Sequence, residues 1–255
     1  MTASILKGIV AALLPFAAIE GAEAADPSAL WRIVHGSCVP NEVQHHDPAP
    51  CELVDLSRGE ERGYAVLKDL VGATQFLVIP TGRVPGIESP ALLATDAPNY
   101  MQDAWGARRF VEAKARGTLA REDLSLAINS THGRTQDQFH IHVDCVRADV
   151  HDALVRHRDK LGDAWALFPE RLSGHAYIAR RLLTLDLASA NPFLLLAQGV
   201  PTARMHMGDY TLFVAGGTFE GKPGFTLLVD RADPANGNFG HSESLQDHGC
   251  ALAHS

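Results

Sequence analysis

Basic residues are scarce: 22 Lys and Arg stand against 30 Asp and Glu, a formal charge of −8 across 255 residues. Sequence-independent nucleic-acid binding needs a dense basic surface to neutralise phosphates, and this balance excludes it. Cysteine is sparse, four residues in all, with no C-x-x-C spacing, which argues against a structural zinc. Beyond the first 25 residues no apolar run approaches the roughly 20 residues that a bilayer-spanning helix needs. No internal repeat is visible. What is present is a chain with 46% hydrophobic residues, long enough for one large acidic domain or a domain with an appendage.

The N-terminus reads "MTASILKGIVAALLPFAAIEGAEAADPS". Lys7 opens it with positive charge, an apolar run from Gly8 to Ile19 follows, and Ala22 and Ala24 form a small-x-small cleavage pattern. Residues 1–25 are therefore expected to be a signal peptide or an uncleaved membrane anchor, with residues 26–255 as the working domain. Pro15 weakens a stable spanning helix. Export places the domain in a bacterial periplasm or on the periplasmic face of the inner membrane. An oxidising compartment in turn suggests disulfides. Cys38 and Cys51 bracket a polar, Pro-rich loop and are paired; Cys145 is paired with Cys250 in the tail.

Local patterns give a coarse layout. A short helix is expected over 26–37, started by Asp26 and Pro27. "GYAVLKDL" and "QFLVIP" read as two strands joined by "VGAT". "NYMQDAWGARRFVEAKARG" reads as an amphipathic helix with Tyr100, Ala104, Ala107, Phe110 and Val111 on its apolar side, stopped by Gly117. "DLSLAINS" and "FHIHVDCV" are strands, "ADVHDALVRHRDKLG" is a helix, and "HAYIARRLL" is a strand or a short helix. "NPFLLLAQGVP" reads as a capped helix that either joins the core or lines an acyl-chain groove. "YTLFVAGG" and "GFTLLVDR" form a hairpin about a Gly-rich turn. The polar tail is expected to be partly mobile. Strands with segregated helices predict an α+β fold with a mostly antiparallel sheet.

The informative stretch is "RTQDQFHIHVDCVR". Strand faces alternate with period two. Phe139, Ile141 and Val143 would point into the core, and Gln138, His140, His142 and Asp144 together to the other side. Two imidazoles beside a polar turn carrying Asn129, Arg134 and Gln136 make a site. Three chemistries fit: nucleophilic attack on phosphorus, half of a zinc shell, or anion recognition without reaction.

The stretch resembles the histidine-triad motif of nucleotide hydrolases and transferases. The ordered pieces "CVPN", "GYAVLKDL", "SLAINS", "GRTQ", "FHIH", "GHAY" and "QDHGC" resemble the CDP-diacylglycerol pyrophosphatase family, over about Trp31 to Cys250. The resemblance implies a histidine-triad-like (HIT-like) fold, mostly antiparallel sheet with packed helices. It implies cleavage of the diphosphate of CDP-diacylglycerol to CMP and phosphatidate at a membrane surface. No metal-ligand set is complete, so turnover without metal or cofactor is expected, and the sequence points to no protein partner.

One position departs from that pattern. Gln138 stands where the family's first histidine is expected. In one register His140 is the nucleophile and His142 contacts phosphate oxygens. In the other, suggested by the Gln136–His140 spacing, the roles move down and Asp144 takes the third place. A hydrogen-bonding Gln138 should be tolerated in the first register, so restoring histidine there should keep or raise activity.

The resemblance also implies a ribose contact for Asp69. Lys68, Asn129 and Arg134 are candidates for phosphate, with Arg83 a weaker one. Ordinary turn and surface roles compete for all of them. His175 and His248 fall inside matched pieces without an assigned role. Two rivals stand beside this reading. One is a zinc hydrolase using His140, His142 and Asp144, with Cys145 where that signature ends in histidine. The other is a non-catalytic nucleotide- or lipid-binding module.

Overall fold

The computed structural model describes residues 26–254; the expected signal peptide or anchor lies outside the described residues. Ten strands form one sheet among these residues. They are β1 (Leu53–Asp55), β2 (Tyr64–Lys68), β3 (Phe76–Pro80), β4 (Leu124–Ile128), β5 (Ile141–Val146), β6 (Ala166–Leu167), β7 (Ile178–Leu182), β8 (Leu212–Phe219), β9 (Lys222–Val229) and β10 (Gln246–Asp247). The spatial order is β1-β2-β3-β5-β4-β8-β9-β7-β6, and every pairing is antiparallel. The fold is α+β.

The central strands are covered on both faces, so they read as nearly continuous apolar runs rather than clean alternations. "FLVIP" and "LSLAI" are buried throughout. On one face, Phe76, Val78, Leu126, Ile141, Val143 and Val214 pack against α3 (Tyr100–Ala115) and α5 (Pro192–Gly199). The other face carries two separate clusters. α1 (Ala29–Ile33) and α2 (Val39–His45) cover Ala65, Leu67, Leu77 and Ile79. α4 (Ala148–His157) covers Ala127, Phe213, Ala215 and Leu228. Leu77 and Ala127 both lie directly across from His142, one on each neighbouring strand. His142 thus stands on this face between the two clusters.

Several expectations needed revision. The first helix does not stop at residue 37: a π-helical turn, Val34–Cys38, carries it into α2, whose first turn accepts Pro40. Half of the supposed loop between Cys38 and Cys51 is therefore helical, and the disulfide ties its two ends. α3 starts at an Asn99 cap but ends at Ala115, with Arg116 taking the left-handed turn. Gly117 serves another purpose, since a Cβ there would lie 2.0 Å from the Ala253 carbonyl oxygen. "HAYIARRLL" supplies a strand. β8 and β9 absorb most of the Gly-rich stretch, leaving only Glu220 and Gly221, both at positive φ, as the turn. In α5, Phe193 and Leu196 are core residues, which settles that helix as packing.

The tail differs most from expectation. Ser242, Leu245, Gln246 and Cys250 are buried. β10 extends the edge of β5 beyond the residues that β3 occupies: β3 pairs with Ile141–Val143, β10 with Cys145 and Val146. Cys145 is bonded to Cys250, as paired from the sequence. A polar composition here reflects packing over a polar site, not disorder.

Candidate active site

β5 begins at Ile141, so His140 sits at its entrance and His142 one step inside. The rings meet edge to face with centroids 4.8 Å apart. His140 Nδ1 lies 2.7 Å from the Gln138 carbonyl oxygen. A carbonyl only accepts, so the proton is on Nδ1 and the Nε2 lone pair is free. His142 has the opposite tautomer. Its Nδ1 accepts from the Gln75 amide at 2.9 Å, while the second hydrogen of that amide goes to Glu243 Oε1 at 3.0 Å. Reversing the Gln75 amide would set its oxygen against the Glu243 carboxylate. With the Gln75 amide in this orientation His142 Nε2 carries the hydrogen; Glu243 Oε1 also lies 3.4 Å from Nδ1, and Nε2 is buried with no hydrogen-bond partner in the protein.

Glu243 is gripped from several sides. Asn129 donates to Oε2 at 3.0 Å and accepts from the Glu243 backbone at 3.2 Å. His248 Nε2 approaches Oε1 at 3.6 Å. On its other side, His248 donates through Nδ1 to Asp144 at 2.8 Å. The second Asp144 oxygen accepts from Thr74 at 2.7 Å and from the Cys145 amide at 2.9 Å. A continuous polar chain runs Asp144–His248–Glu243–Gln75–His142.

The pair opens on a cleft of about 700 Å3. Lys68, Asp69, Thr135, Gln136, His140, His142 and Glu243 supply its polar part. Leu30, Ile33, Pro50, Leu67 and Leu77 supply apolar walls, and the tip of the β2–β3 hairpin stands at its mouth. Comparison with known proteins is direct. The family model described as CDP-diacylglycerol pyrophosphatase matches residues 25–254.

The chain belongs to the CDP-diacylglycerol pyrophosphatase family.

The protein of that name from Yersinia pestis is 41% identical over 224 residues, spanning 88% of this chain and 84% of the relative. Within this CDP-diacylglycerol pyrophosphatase frame, the residues singled out from sequence separate into groups. Lys68, Asp69, Gln136, His140 and His142 share the cleft. Lys68 spends its ammonium on the carbonyls of Asp69 and Gly72, at 2.6 and 3.0 Å, which stiffens the hairpin. Gln136 fastens α1 by accepting from Leu30 N at 3.1 Å and donating to Asp26 O at 3.0 Å. Asn129 acts on Glu243 and lines a small pocket with Arg134, Phe139 and His140.

Three of the expected substrate contacts are engaged elsewhere. Gln138 is fully buried, and its amide donates to the carbonyls of Pro80 and Gly82 at 3.0 and 2.9 Å. It clamps the 80–84 segment and does not reach the cleft; a buried Gln with three backbone partners is not a vacant histidine position. Asp144 is likewise buried and committed to Thr74 and His248. Arg134 lines a small pocket with Asn129 and His140, but its guanidinium is paired with Glu88 at 2.6 Å and Asp137 at 3.3 Å and its side chain is 10% exposed. Arg83 lies over the Trp31 ring, 5.2 Å from its centroid.

Burial pushes both imidazoles toward the neutral form. His140 falls below its ordinary value of 6.5 because desolvation outweighs the Gln138 bond. His142 is pushed down to about 4, again by burial, against the pull of Glu243. His248 moves up because Asp144 accepts its hydrogen bond. Burial alone would raise Glu243, but His142, Gln75, Asn129 and His248 together hold it below its usual range. The site therefore combines two neutral imidazoles with an ionised carboxylate and a readily protonated third imidazole. Glu243 had not been singled out from sequence, and His248 had no role. The usable signal was the Cys145–Cys250 pairing, which brings the residues just before Cys250 to Asp144.

Proposed function

We propose that this chain hydrolyses CDP-diacylglycerol to CMP and phosphatidate through a cytidylyl-histidine formed on His140. Membership of the family supports the reaction. The observation that carries the mechanism is the His140–Gln138 bond, which leaves Nε2 unprotonated beside a neutral, partnerless His142 Nε2–H. His140 Nε2 attacks the phosphorus bearing cytidine. The bond to the bridging oxygen breaks, and phosphatidate leaves with the electron pair as a phosphate monoester. Such a leaving group needs little protonation, so positioning and charge stabilisation dominate the barrier. His142 donates to a non-bridging oxygen. Water then attacks the phosphorus of the intermediate, the P–N bond breaks, CMP leaves, and the water's proton passes to solvent.

In the other register His142 would be the nucleophile. Its Nδ1 faces the Gln75 amide at 2.9 Å and Glu243 Oε1 at 3.4 Å, and its Nε2 is buried, so His140 is the imidazole better presented to phosphorus. The zinc reading loses its donors: Asp144 is engaged with Thr74 and His248, and Cys145 is in a disulfide. Among the described residues no group of three or more His, Cys, Asp or Glu is arranged around a common point. The antiparallel sheet and the paired histidines at a strand entrance fit a HIT-like fold. The apolar N-terminal run and the two disulfides fit a periplasmic setting, with residues 1–25 as signal peptide or anchor.

The test is to trap the intermediate. Substrate labelled in the cytidylyl phosphate is quenched early in turnover and the digest is mapped. Label on His140 is expected. Label on His142 would transfer the nucleophile role, and absence of both label and CMP would end the proposal.

A further inference from the structure

The β2–β3 hairpin ends in two large apolar side chains held in water. Leu70 is 101% exposed and Val71 57%. An isolated exposed leucine is ordinary, but this tip is rigidly built. Val71 N donates to the Asp69 carboxylate at 3.1 Å, Lys68 Nζ bonds the carbonyls on both sides, and Ala73 N donates to the His248 carbonyl at 2.8 Å. Gly72, at φ +69°, is pressed against His248, where a Cβ would lie 2.2 Å from the histidine's own Cβ. The fold thus fixes an apolar point at the mouth of the cleft, with Leu67, Leu77, Leu30 and Ile33 continuing inward toward His142.

α1, the first helix of the described chain, also lines this cleft through Ala29, Leu30 and Ile33. If the substrate is CDP-diacylglycerol, its charged head fits the polar end of the cleft, and its two acyl chains leave through the apolar mouth.

We propose that the Leu70–Val71 tip seats in the outer layer of a lipid bilayer, so that the cleft takes the nucleotide head of a lipid whose chains stay in the membrane. This rests on the lipid substrate proposed above. The apolar wall continues the hydrocarbon phase up to the histidines, sparing the chains a passage through water.

Two measurements on the full chain test this. First, Leu70→Cys and, as an exposed control outside the cleft lining, Met205→Cys (76% exposed) are labelled with an environment-sensitive fluorophore. They are mixed with phosphatidylethanolamine/phosphatidylglycerol vesicles. A blue shift at 70 with none at 205 is expected. No shift at 70 overturns the proposal, and so does a shift that appears without vesicles as protein concentration rises, which would mean a second copy covers the tip. Second, the double variant Leu70→Ser/Val71→Ser is assayed on vesicular CDP-diacylglycerol and on a water-soluble short-chain analogue. Losing two apolar side chains from the bilayer should lower kcat/KM on vesicles at least about tenfold, and by much more than on the soluble analogue. Equal loss on both, or no loss on vesicles, overturns it. If the wild-type chain cleaves neither substrate, the lipid-substrate reading fails, and the fluorophore result still decides whether the tip meets a membrane.

Discussion

Asp144 and His248, 104 residues apart in sequence, share a 2.8 Å hydrogen bond that fastens the C-terminal tail to the central strand. The bond sets the orientation of His248, and His248 in turn faces Glu243, the residue that shares Gln75 with His142. The first consequence concerns the division of labour between the paired histidines. His140→Ala should lower turnover by about 10⁴-fold or more and abolish labelling, as expected for loss of a nucleophile. His142→Ala removes one phosphate-facing donor and should cost about 10²–10³-fold while slow labelling persists. Rapid-quench labelling of both variants separates these outcomes; the reverse ranking would reassign the nucleophile.

The acid limb of activity should lie below pH 6.5, since the His140 nucleophile is held below that ordinary value. A limb centred above 6.5 in kcat/KM would contradict a neutral, desolvated nucleophile.

Stability should carry two opposite pH signatures. His248 has a raised value in the folded state, so its contribution is fully present below its unfolded value near 6.5 and fades as pH climbs through the raised one. The Tm gap between wild type and His248→Gln should therefore be widest in mild acid and narrow in base. His142 is depressed to about 4 from 6.5, so wild type should lose stability as pH falls through that window. His142→Gln should lose less over the same interval. Thermal melts of the three proteins across pH read both effects.

The Cys145–Cys250 bond closes a separation of 105 residues. Cys145→Ser/Cys250→Ser should cost about 2–5 kcal/mol in unfolding free energy, with the chain-entropy model placing a loop of this length near the top of that range. Activity should fall further than at Cys38→Ser/Cys51→Ser, because only the former frees His248 and Glu243. Equal kcat for the two double variants would sever the tail from catalysis.

Gln138→His should not improve the enzyme. The side chain has three buried backbone partners, and imidazole reaches fewer of them. An unpaired buried group costs about 1–3 kcal/mol, so Tm should fall by several degrees. An unchanged Tm with higher turnover would restore the idea that a triad histidine belongs there.

Much of this was legible in the chain. Strands and helices followed from period and punctuation, and both disulfides from compartment and spacing. The His pair announced itself because two residues of one strand are local. Glu243 and His248 were not, since nothing near them in sequence marks a site; their meaning comes from β10 pairing with β5. Asp144 and Gln138 were misread for a different reason. Alternation placed them with the histidines but could not distinguish the cleft from the packed polar layer around it. Arg134 illustrates the same limit, because its partner Glu88 is invisible until the fold brings it close.

The shared edge of β5 has a bearing on time as well as space. β3 occupies the first half of that edge and β10 the second, so Gln246 and Asp247 complete an edge that β3 began. β5 can pair with β3 and β4 before β10 joins it. In that interval it has imidazoles but no Glu243 or His248 beside them. Competence for the reaction depends on β10 and the residues beside it, and a chain truncated just before Glu243 should keep β5 paired with β3 and β4 yet lose most of its activity.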